Sequence, residues 1–279
     1  MIEPLLADDA LLQDVAASRE AGGFSLWWLG QSGFLIQWAG QHLLLDPYLS
    51  DSLTKKYAAT DKPHVRMTRQ AIDPARLDFL NVVTSSHNHT DHLDGETLAP
   101  LLKANPAMAI VVPAANRDFA AQRIAVSADR LTTIDDGGSV SAAGFTIHAV
   151  PSAHETIDRD AQRRCHFLGY VVEFGPYAIY HSGDTILWDG LATRLRHWRI
   201  DLALLPINGR GPERRVAGNL WGAEAAALAR AIGAKIVVPC HYDMFEFNTA
   251  SPEEFVANCQ ARGQGYRVLQ CGERLSWSG

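Results

Sequence analysis

The residues best suited to do chemistry lie together in one short segment. Three histidines, His87, His89 and His92, and one carboxylate, Asp91, fall within six residues directly after an apolar run. Core packing does not call for such a density of ionisable side chains, whereas imidazole and carboxylate groups are common metal ligands in proteins. The segment therefore predicts a metal site.

The spacing within this segment predicts two ions. Side chains two residues apart in an extended chain face the same side, so His87 and His89 can bind one ion. A turn at Thr90 sends Asp91 and His92 toward a neighbouring position. The alternative is a polar surface loop that happens to be rich in histidine, and this density of histidine favours metal over that alternative.

Further ligands are available where three distant apolar runs stop. His154 follows one run, Asp184 follows another, and His241 ends a third. Asp184 can bridge two ions because a carboxylate offers two oxygens. Each residue also has an ordinary explanation: a surface histidine, an aspartate in a turn, or a histidine with satisfied hydrogen bonds at a strand end.

This set of side chains predicts hydrolysis by an activated water. Two divalent ions about 3.5 to 4 Å apart lower the pKa of a shared water, so that a metal-bound hydroxide attacks, and they polarise the oxygen under attack. Asp91 can orient the hydroxide or return a proton to the leaving group, which makes it the candidate catalytic residue. No serine nucleophile is required, since Gly30–Gly33 lacks the GxSxG spacing and is better explained as a tight turn.

The elements that must position these residues are alternating strands and helices. Apolar runs predict strands at 25–29, 34–38, 42–45, 79–85, 109–113, 145–151, 168–174, 177–181, 202–206, 235–239 and 266–271. Helical spacing predicts helices at about 95–103, 116–124, 222–232 and 252–262, and an amphipathic surface helix at about 4–20. Residues 49–77 are polar and form a long loop or a loosely helical insertion, which is often a functional feature. Strands in both halves with flanking helices indicate two sheets packed face to face with helices outside.

Length and composition indicate one globular domain over residues 1–279. Hydrophobic residues make up 47% of the chain and charged residues 20%, which is ordinary globular usage. The formal net charge is −6 and no long basic run occurs, so nucleic acid is not an expected partner. No segment approaches the roughly 20 apolar residues of a membrane-spanning helix, and no membrane partner is expected.

The N-terminus and the cysteines favour a cytoplasmic location. The first residues carry acidic side chains inside their apolar pattern and lack the basic start of a signal peptide. The four cysteines show no CxxC spacing and no disulfide-rich density. The oligomeric state stays open, although Trp27, Trp28 or Trp188, if exposed, would serve a homo-oligomeric interface.

The motifs together resemble the metallo-β-lactamase superfamily. The HxHxDH pattern from His87 to His92, followed by His154, Asp184 and His241, matches the superfamily in order. Within it, the segments Trp27–Gly33, Tyr180–Asp184 and Val237–Asp243 resemble the branch that contains L-ascorbate-6-phosphate lactonase. The resemblance covers residues 25 to about 245 and implies an α/β (α+β) fold, a four-layer αββα sandwich with the site at the sheet edges.

The resemblance also implies a role for each candidate ligand. It assigns His87, His89 and His154 to the first ion, Asp91, His92 and His241 to the second, and Asp184 to a bridge between them. Asp46 occupies a position where relatives place a carboxylate beneath the metal histidines, and a turn aspartate before Pro47 explains it equally well. His148, His166 and His181 can compete with His154 for a place near the site. The lactonase resemblance favours manganese as the divalent ion, whereas the histidine count favours zinc.

The substrate is predicted only by class. The basic residues of the 49–77 insertion and the pair Asn208 and Arg210 can bind an anion, so a small, anionic substrate is expected. An exposed arginine that solvates a loop explains Arg210 equally well. His166 and His181 can line the pocket or act as ordinary strand-end histidines. By analogy with the lactonase branch, the substrate is a sugar-acid lactone or a phosphorylated small molecule.

Two other functions remain open from the sequence. The same fold can host a phosphodiesterase, although the lack of a basic arm argues against RNA and the lack of a basic amphipathic helix argues against lipid. The same ligands can also hold redox-active iron or a purely structural metal. Turnover with oxygen would identify the iron enzyme, and a fully liganded ion without open positions would identify the structural site.

Overall fold

Strands make up both central layers of the computed structural model, which describes residues 1–18 and 22–279. In chain order the strands are β1 Phe24–Trp28, β2 Phe34–Trp38, β3 Gln41–Leu45, β4 Val82–Thr84, β5 Ala109–Pro113, β6 Thr132–Ile134, β7 Ser139–Ala142, β8 Phe145–Pro151, β9 Leu168–Phe174, β10 Tyr177–His181, β11 Leu202–Pro206, β12 Ile236–Cys240, β13 Gly265–Tyr266 and β14 Arg274–Trp277. The helices are α1 Asp8–Ala17, α2 Ser52–Tyr57, α3 Gly95–Ala104, α4 Arg117–Arg123, α5 Leu191–Leu195, α6 Gly222–Ile232 and α7 Glu253–Arg262.

The strands form two seven-stranded mixed sheets. The first has the order β14-β1-β2-β3-β4-β5-β6 and the second the order β13-β12-β11-β10-β9-β8-β7. In each sheet one half is antiparallel and the other half, β3 to β6 or β10 to β13, is parallel. The carboxyl ends of parallel strands meet at one edge, where side chains from several loops can converge.

The core follows from the alternation of side chains along the strands. Leu26 and Trp28 of β1 point into a core shared with the second sheet, whereas Trp27 points into a separate core with residues of α1, α3 and α4. The second sheet is covered on its outer side by α6 and α7, which contact β11, β12 and β13. Two sheets with helices on both outer faces confirm the predicted four-layer sandwich.

Most predicted elements lie within one residue of the predicted bounds. The strand predicted at 79–85 is shorter, since β4 covers only Val82–Thr84. The predicted strand at 266–271 is wrong, because the chain leaves the second sheet after β13 and crosses to pair β14 with β1. Strands β6 and β7 and the short helix α5 were not predicted. The surface helix is shorter than predicted, Asp8–Ala17, and residues 19–20 of that prediction lie outside the described residues.

The tryptophans considered for an interface lie mainly inside the fold. Trp27 and Trp28 are buried, so they cannot form the exposed interface that the sequence left open. Trp188 is partly buried and packs against the core. No helix of the described residues has the length and hydropathy that crossing a membrane requires.

The insertion at 49–77 contains α2 and otherwise runs as an ordered irregular segment. The Thr54 hydroxyl donates to the backbone carbonyl of His64, at 2.8 Å, which ties α2 to the returning chain. Tyr57 and His64 stack with ring centroids 4.1 Å apart. This segment forms one wall of the cavity described below.

Candidate metal centre

All seven predicted ligands follow strand ends at one edge of the two sheets. The segment Ser86–His92 follows β4 of the first sheet. His154, Asp184 and His241 follow β8, β10 and β12 of the second sheet. The ligands therefore converge from both sheets on one place between them.

The first cluster consists of His87, His89 and His154. One potential ligand atom from each lies within 4.8 Å of the others. His154 Nδ1 is 2.7 Å from the carbonyl oxygen of Gly218. Because a carbonyl only accepts, Nδ1 carries the proton and the Nε2 lone pair of His154 is left for a metal ion.

The second cluster consists of Asp91, His92, Asp184 and His241, whose ligand atoms also lie within 4.8 Å of one another. Asp184 Oδ1 is 3.2 Å from His92 Nε2, and Oδ2 is 3.3 Å from His241 Nε2. The same Oδ2 is 3.5 Å from His154 Nε2 of the first cluster. Asp184 thus joins the two clusters, in the place that a bridging carboxylate requires.

Asp46 lies beneath the histidines and is completely buried. Its Oδ2 accepts a hydrogen bond from His92 Nδ1 at 2.7 Å, and its Oδ1 accepts one from the backbone N–H of Ser86 at 2.9 Å. The Ser86 hydroxyl also donates to this carboxylate. Asp46 therefore does more than form a turn, since it directs His92 Nε2 toward the second cluster.

The pKa values at the centre show that it favours positive charge. Burial lowers the pKa of His92, but Asp184 and Asp91 outweigh burial and hold it well above its usual range. Burial also lowers the pKa of His241, but the neighbouring carboxylates, Asp184 first, outweigh burial and raise the pKa to about 9. His241 and His92 in turn overcome burial and hold the pKa of Asp184 well below its usual range. The carboxylates that stabilise a proton here would equally stabilise a metal cation.

A metal ion fits the donor set because buried ligand atoms lack other partners. His87 Nε2, His92 Nε2 and Asp184 Oδ1 are buried and accept or donate no hydrogen bond among the described residues. Leaving such atoms unsatisfied is costly, and a bound cation would satisfy all three. Burial and the neighbouring His92 hold the pKa of His87 well below its usual range, so His87 is the neutral imidazole that metal binding needs.

Several residues of the centre have left-handed backbone conformations that non-glycine residues rarely adopt. The φ angles are +49° for Gln31, +38° for Asp46 and +63° for His241. Gly183, which precedes the bridging carboxylate, has φ +57°, and a Cβ there would lie 2.7 Å from the Ser86 side chain. Such conformations persist only where the surroundings impose them, and they are common at functional sites.

A cavity of about 360 Å³ opens above both clusters. One side is an aromatic wall formed by Tyr57, His64, Phe245 and Phe247. Three cationic residues also line the cavity, namely Lys56, Arg123 and Arg215. Its floor contains His89, Asp91, His154, Asp184 and His241. The candidate catalytic residue Asp91 is therefore accessible from the cavity.

A chain of amide side chains supports another part of the cavity. Asn219 donates to Asn208 Oδ1 at 3.1 Å, and Asn208 donates to Asn248 Oδ1 at 2.9 Å. Asn219 and Asn248 line the cavity, whereas Asn208 is buried behind them. Asn208 itself does not line the cavity and contacts it only through these two neighbours.

The remaining candidate substrate residues, Arg210, His166 and His181, lie outside the cavity. Arg210 forms a two-pronged ion pair with Glu224, at 2.7 Å for each contact, so its guanidinium is not free for a substrate anion. His166 Nδ1 is 2.9 Å from Asn116 Oδ1 and does not line the cavity. His181 is buried behind the centre, where its Nε2 donates to the carbonyl of Ser32 at 3.0 Å.

Two residues of the centre were not predicted as functional. Gln31 contacts Asp91 and His241, although the sequence indicates only a tight turn there. Asn219 is buried in the cavity wall, and its Oδ1 has no hydrogen-bond partner among the described residues. Gln31 lies in the Trp27–Gly33 segment that carries the resemblance to the lactonase branch, but its spacing has no chemical meaning. Asn219 belongs to no motif, and only the fold brings the two residues to the ligands.

Comparison with known sequences gives a consistent family. A sequence model described as the beta-lactamase superfamily domain matches residues 41–242. A protein of Sulfurisphaera tokodaii named UPF0173 metal-dependent hydrolase is 25% identical over 254 residues, which cover 90% of this chain and 98% of that protein. The matched range contains all seven candidate ligands.

Solved structures with the same fold carry different activities. The isothiocyanate hydrolase from Delia radicum gut bacteria has a TM-score of 0.73 and 18% identity, over 91% of this chain and 99% of that one. CmlA, a diiron β-hydroxylase from Streptomyces venezuelae, has a TM-score of 0.65 and 15% identity, over 92% of this chain and 54% of that one. At these identities the likeness concerns the fold, so activity has to be argued from the site.

Proposed function

We propose that this chain, which belongs to the beta-lactamase superfamily and is a metal-dependent hydrolase, opens the ring of a small anionic lactone. The observation that carries the proposal is the Asp184 carboxylate, which lies between two complete ligand clusters on the floor of an open cavity. The choice of a lactone rests on the resemblance of Trp27–Gly33, Tyr180–Asp184 and Val237–Asp243 to the lactonase branch.

The ligand residues define what the centre can do. His87, His89 and His154 would hold one divalent ion, and Asp91, His92 and His241 a second, with Asp184 between them. Ions bound there supply Lewis acidity that activates water and polarises a carbonyl oxygen. Manganese and zinc both suit this set of nitrogen and oxygen ligands.

Asp91 is the residue to which we assign proton transfer. It faces the cavity, and its Oδ2 lies 3.5 Å from His241 Nε2 and 3.7 Å from His92 Nε2. These two histidines overcome burial and hold the pKa of Asp91 far below its usual range, so the carboxylate is ionised. An ionised carboxylate can orient an attacking water, accept the proton that the water loses, and pass that proton to the alkoxide released when the ring opens.

The cationic residues of the cavity support an anionic substrate. Lys56 and Arg123 form no ion pair with a carboxylate within the described part of the chain, whereas Arg215 is paired with Asp61 at 2.8 Å. Arg123 donates to the backbone carbonyl of Asn88 at 2.5 Å and so also anchors the ligand segment. Lys56 is exposed at the rim and is the cation most available to a carboxylate or phosphate group.

The test combines metal content with turnover. The purified protein and its Asp184→Asn variant are reloaded with manganese or zinc and assayed against neutral lactones, lactones bearing a carboxylate or phosphate, and phosphodiesters. We expect about two ions per chain and turnover of anionic lactones that the variant loses. Turnover of phosphodiesters alone, or oxygen consumption by the iron-loaded protein without hydrolysis, would overturn the proposal.

A matched pair of lysines tests the anion. We expect Lys56→Ala to raise KM for an anionic lactone about three- to tenfold and to leave KM for its neutral analogue unchanged, because a rim charge contributes modestly and mainly to binding. Lys55→Ala is the control, since Lys55 pairs with Glu96 and does not line the cavity. An equal change in KM for both substrates would rule out charge recognition by Lys56.

A further inference from the structure

Gln31 is fixed beside the candidate metal centre by its backbone. It lies between β1 and β2, is buried, and has a φ of +49°. Its carbonyl oxygen accepts hydrogen bonds from Trp28 Nε1 and from the backbone N–H of His241, both at 3.0 Å. These two contacts fix the backbone of Gln31, and with it the point from which the side chain extends into the centre.

The carboxamide of Gln31 touches two members of the second cluster. Its Nε2 is 2.8 Å from Asp91 Oδ2 and 3.0 Å from His241 Nε2. Its Oε1 is buried and has no hydrogen-bond partner among the described residues. An unsatisfied amide oxygen on a side chain that contacts two candidate ligands is an unexplained feature of this centre.

We propose that Gln31 is an additional ligand of the second ion, which it binds through its carboxamide oxygen. This inference rests on the proposed function, because it requires that Asp91, His92, Asp184 and His241 bind a metal. Rotation of the carboxamide about its last side-chain bond exchanges the positions of Nε2 and Oε1. The exchange directs the oxygen toward the cluster and breaks no hydrogen bond of Oε1 within the described structure. It gives up the hydrogen bond from Nε2 to Asp91 Oδ2, so it is favourable only where a bound cation offsets the repulsion between the two oxygens.

The physical reason for the exchange is competition for one lone pair. His92 and His241 each offer one nitrogen to the second cluster, and metal binding needs the neutral ring. With His241 neutral, an amide N–H pointing at its Nε2 occupies the lone pair that a metal ion needs. An amide oxygen in the same place is instead a ligand. The same carboxamide is therefore compatible with the ion in one orientation only.

An added oxygen would bias the choice of metal. The four residues of the second cluster already suffice for the tetrahedral geometry that zinc prefers. A neutral carboxamide oxygen as fifth ligand suits ions that accept more oxygen ligands, such as manganese. Gln31 is thus expected to favour manganese over zinc at the second position.

The experiment measures metal affinity and not turnover. Titration calorimetry gives the stoichiometry and Kd of manganese and of zinc for the full-length protein and its Gln31→Leu and Gln31→Glu variants. We expect Gln31→Leu to weaken manganese binding at one position by roughly ten- to a hundredfold, the range seen when residues around a metal site are altered, and to change zinc binding much less. Gln31→Glu keeps an oxygen and should retain manganese.

The control is a second buried glutamine. Gln37 lies on β2 away from the cavity, so Gln37→Leu removes a buried amide without touching the centre. It should leave both affinities unchanged and reports the cost of losing an amide from the fold. Equal weakening of manganese and zinc in Gln31→Leu, or no weakening, would overturn the inference. If the unaltered protein bound no metal, the proposed function itself would fail.

Discussion

At the level of single residues, the two nitrogens of each histidine have separate tasks. His92 and His154 use Nδ1 for a hydrogen bond to Asp46 or to the carbonyl of Gly218. Their Nε2 atoms are left to face the clusters. Residues outside the two clusters therefore orient the candidate ligands, a common arrangement in metal sites.

Replacing Asp46 tests this arrangement. Asp46→Asn keeps the volume of the side chain, but the amide cannot accept from His92 Nδ1 with the same strength, so the ring is held less firmly. We expect metal affinity to fall roughly ten- to a hundredfold, as measured by competition with a chromogenic chelator. Asp129→Asn is the control, since Asp129 lies on the surface in an ion pair with Arg117. An unchanged affinity in Asp46→Asn would show that packing alone orients His92.

Single residues differ in how far the sequence could identify them. His87, His89, Asp91 and His92 were found because their density and spacing have a chemical meaning. Gln31 has no such spacing, and its part in the centre depends on a contact with His241, 210 positions further along the chain. For Arg210 the sequence offered an anion-binding role, but in the folded chain its guanidinium is paired with Glu224, and no local pattern indicates that pair.

At the level of elements, ligands sit on short turns directly after strands. The Gly183 turn brings Asp184 back from β10 toward the histidines, and it passes so close to Ser86 that a Cβ would not fit. A turn of this kind fixes the carboxylate more firmly than a long loop would. Turns at distant strand ends therefore bring their ligand side chains together in one centre.

We expect Gly183→Ala to destabilise the protein by about 1–3 kcal/mol and to lower metal occupancy, because the methyl group must displace Ser86 and the residue must keep a positive φ. Thermal unfolding and metal analysis measure the two effects. Gly137→Ala is the matched control, since Gly137 also has a positive φ, +74°, but nothing lies within 4 Å of an added Cβ. Equal destabilisation of both variants would assign the effect to φ alone.

The strands that alternate cleanly or form continuous apolar runs were predictable, and the ones at the sheet margins were not. β7, Ser139–Ala142, has no buried residue, and β6 has only Ile134 buried, so neither carries an apolar signal. β14 pairs with β1 across nearly the whole length of the sequence. Such pairing depends on tertiary contacts that a local pattern does not contain.

At the level of the whole molecule, the sandwich buries all four cysteines, and burial decides their reactivity. It raises the pKa of the Cys165 and Cys259 thiols to about 11 and of Cys271 to about 12, and it holds the pKa of Cys240 well above its usual range. A raised pKa means less thiolate at any given pH, and the thiolate is the reactive form.

We therefore expect a thiol reagent at pH 8 to label almost no cysteine in the folded protein and all four after denaturation in guanidinium. Labelling of the folded protein should become faster as the pH rises, since the thiolate fraction increases toward these pKa values. The time course of absorbance after adding a disulfide reagent measures both. Rapid labelling of one thiol at pH 8 would show that the fold opens locally at that cysteine.

Neither candidate metal position is complete within one sheet. The first takes His87 and His89 from the first sheet and His154 from the second, and the second position is divided in the same way. A bound ion would thus link the two sheets. Free metal at 100 times its Kd raises the free energy of unfolding by about 2.7 kcal/mol. In a cell short of the metal, we expect the protein to be digested by proteases sooner, so its abundance would follow the supply of the ion.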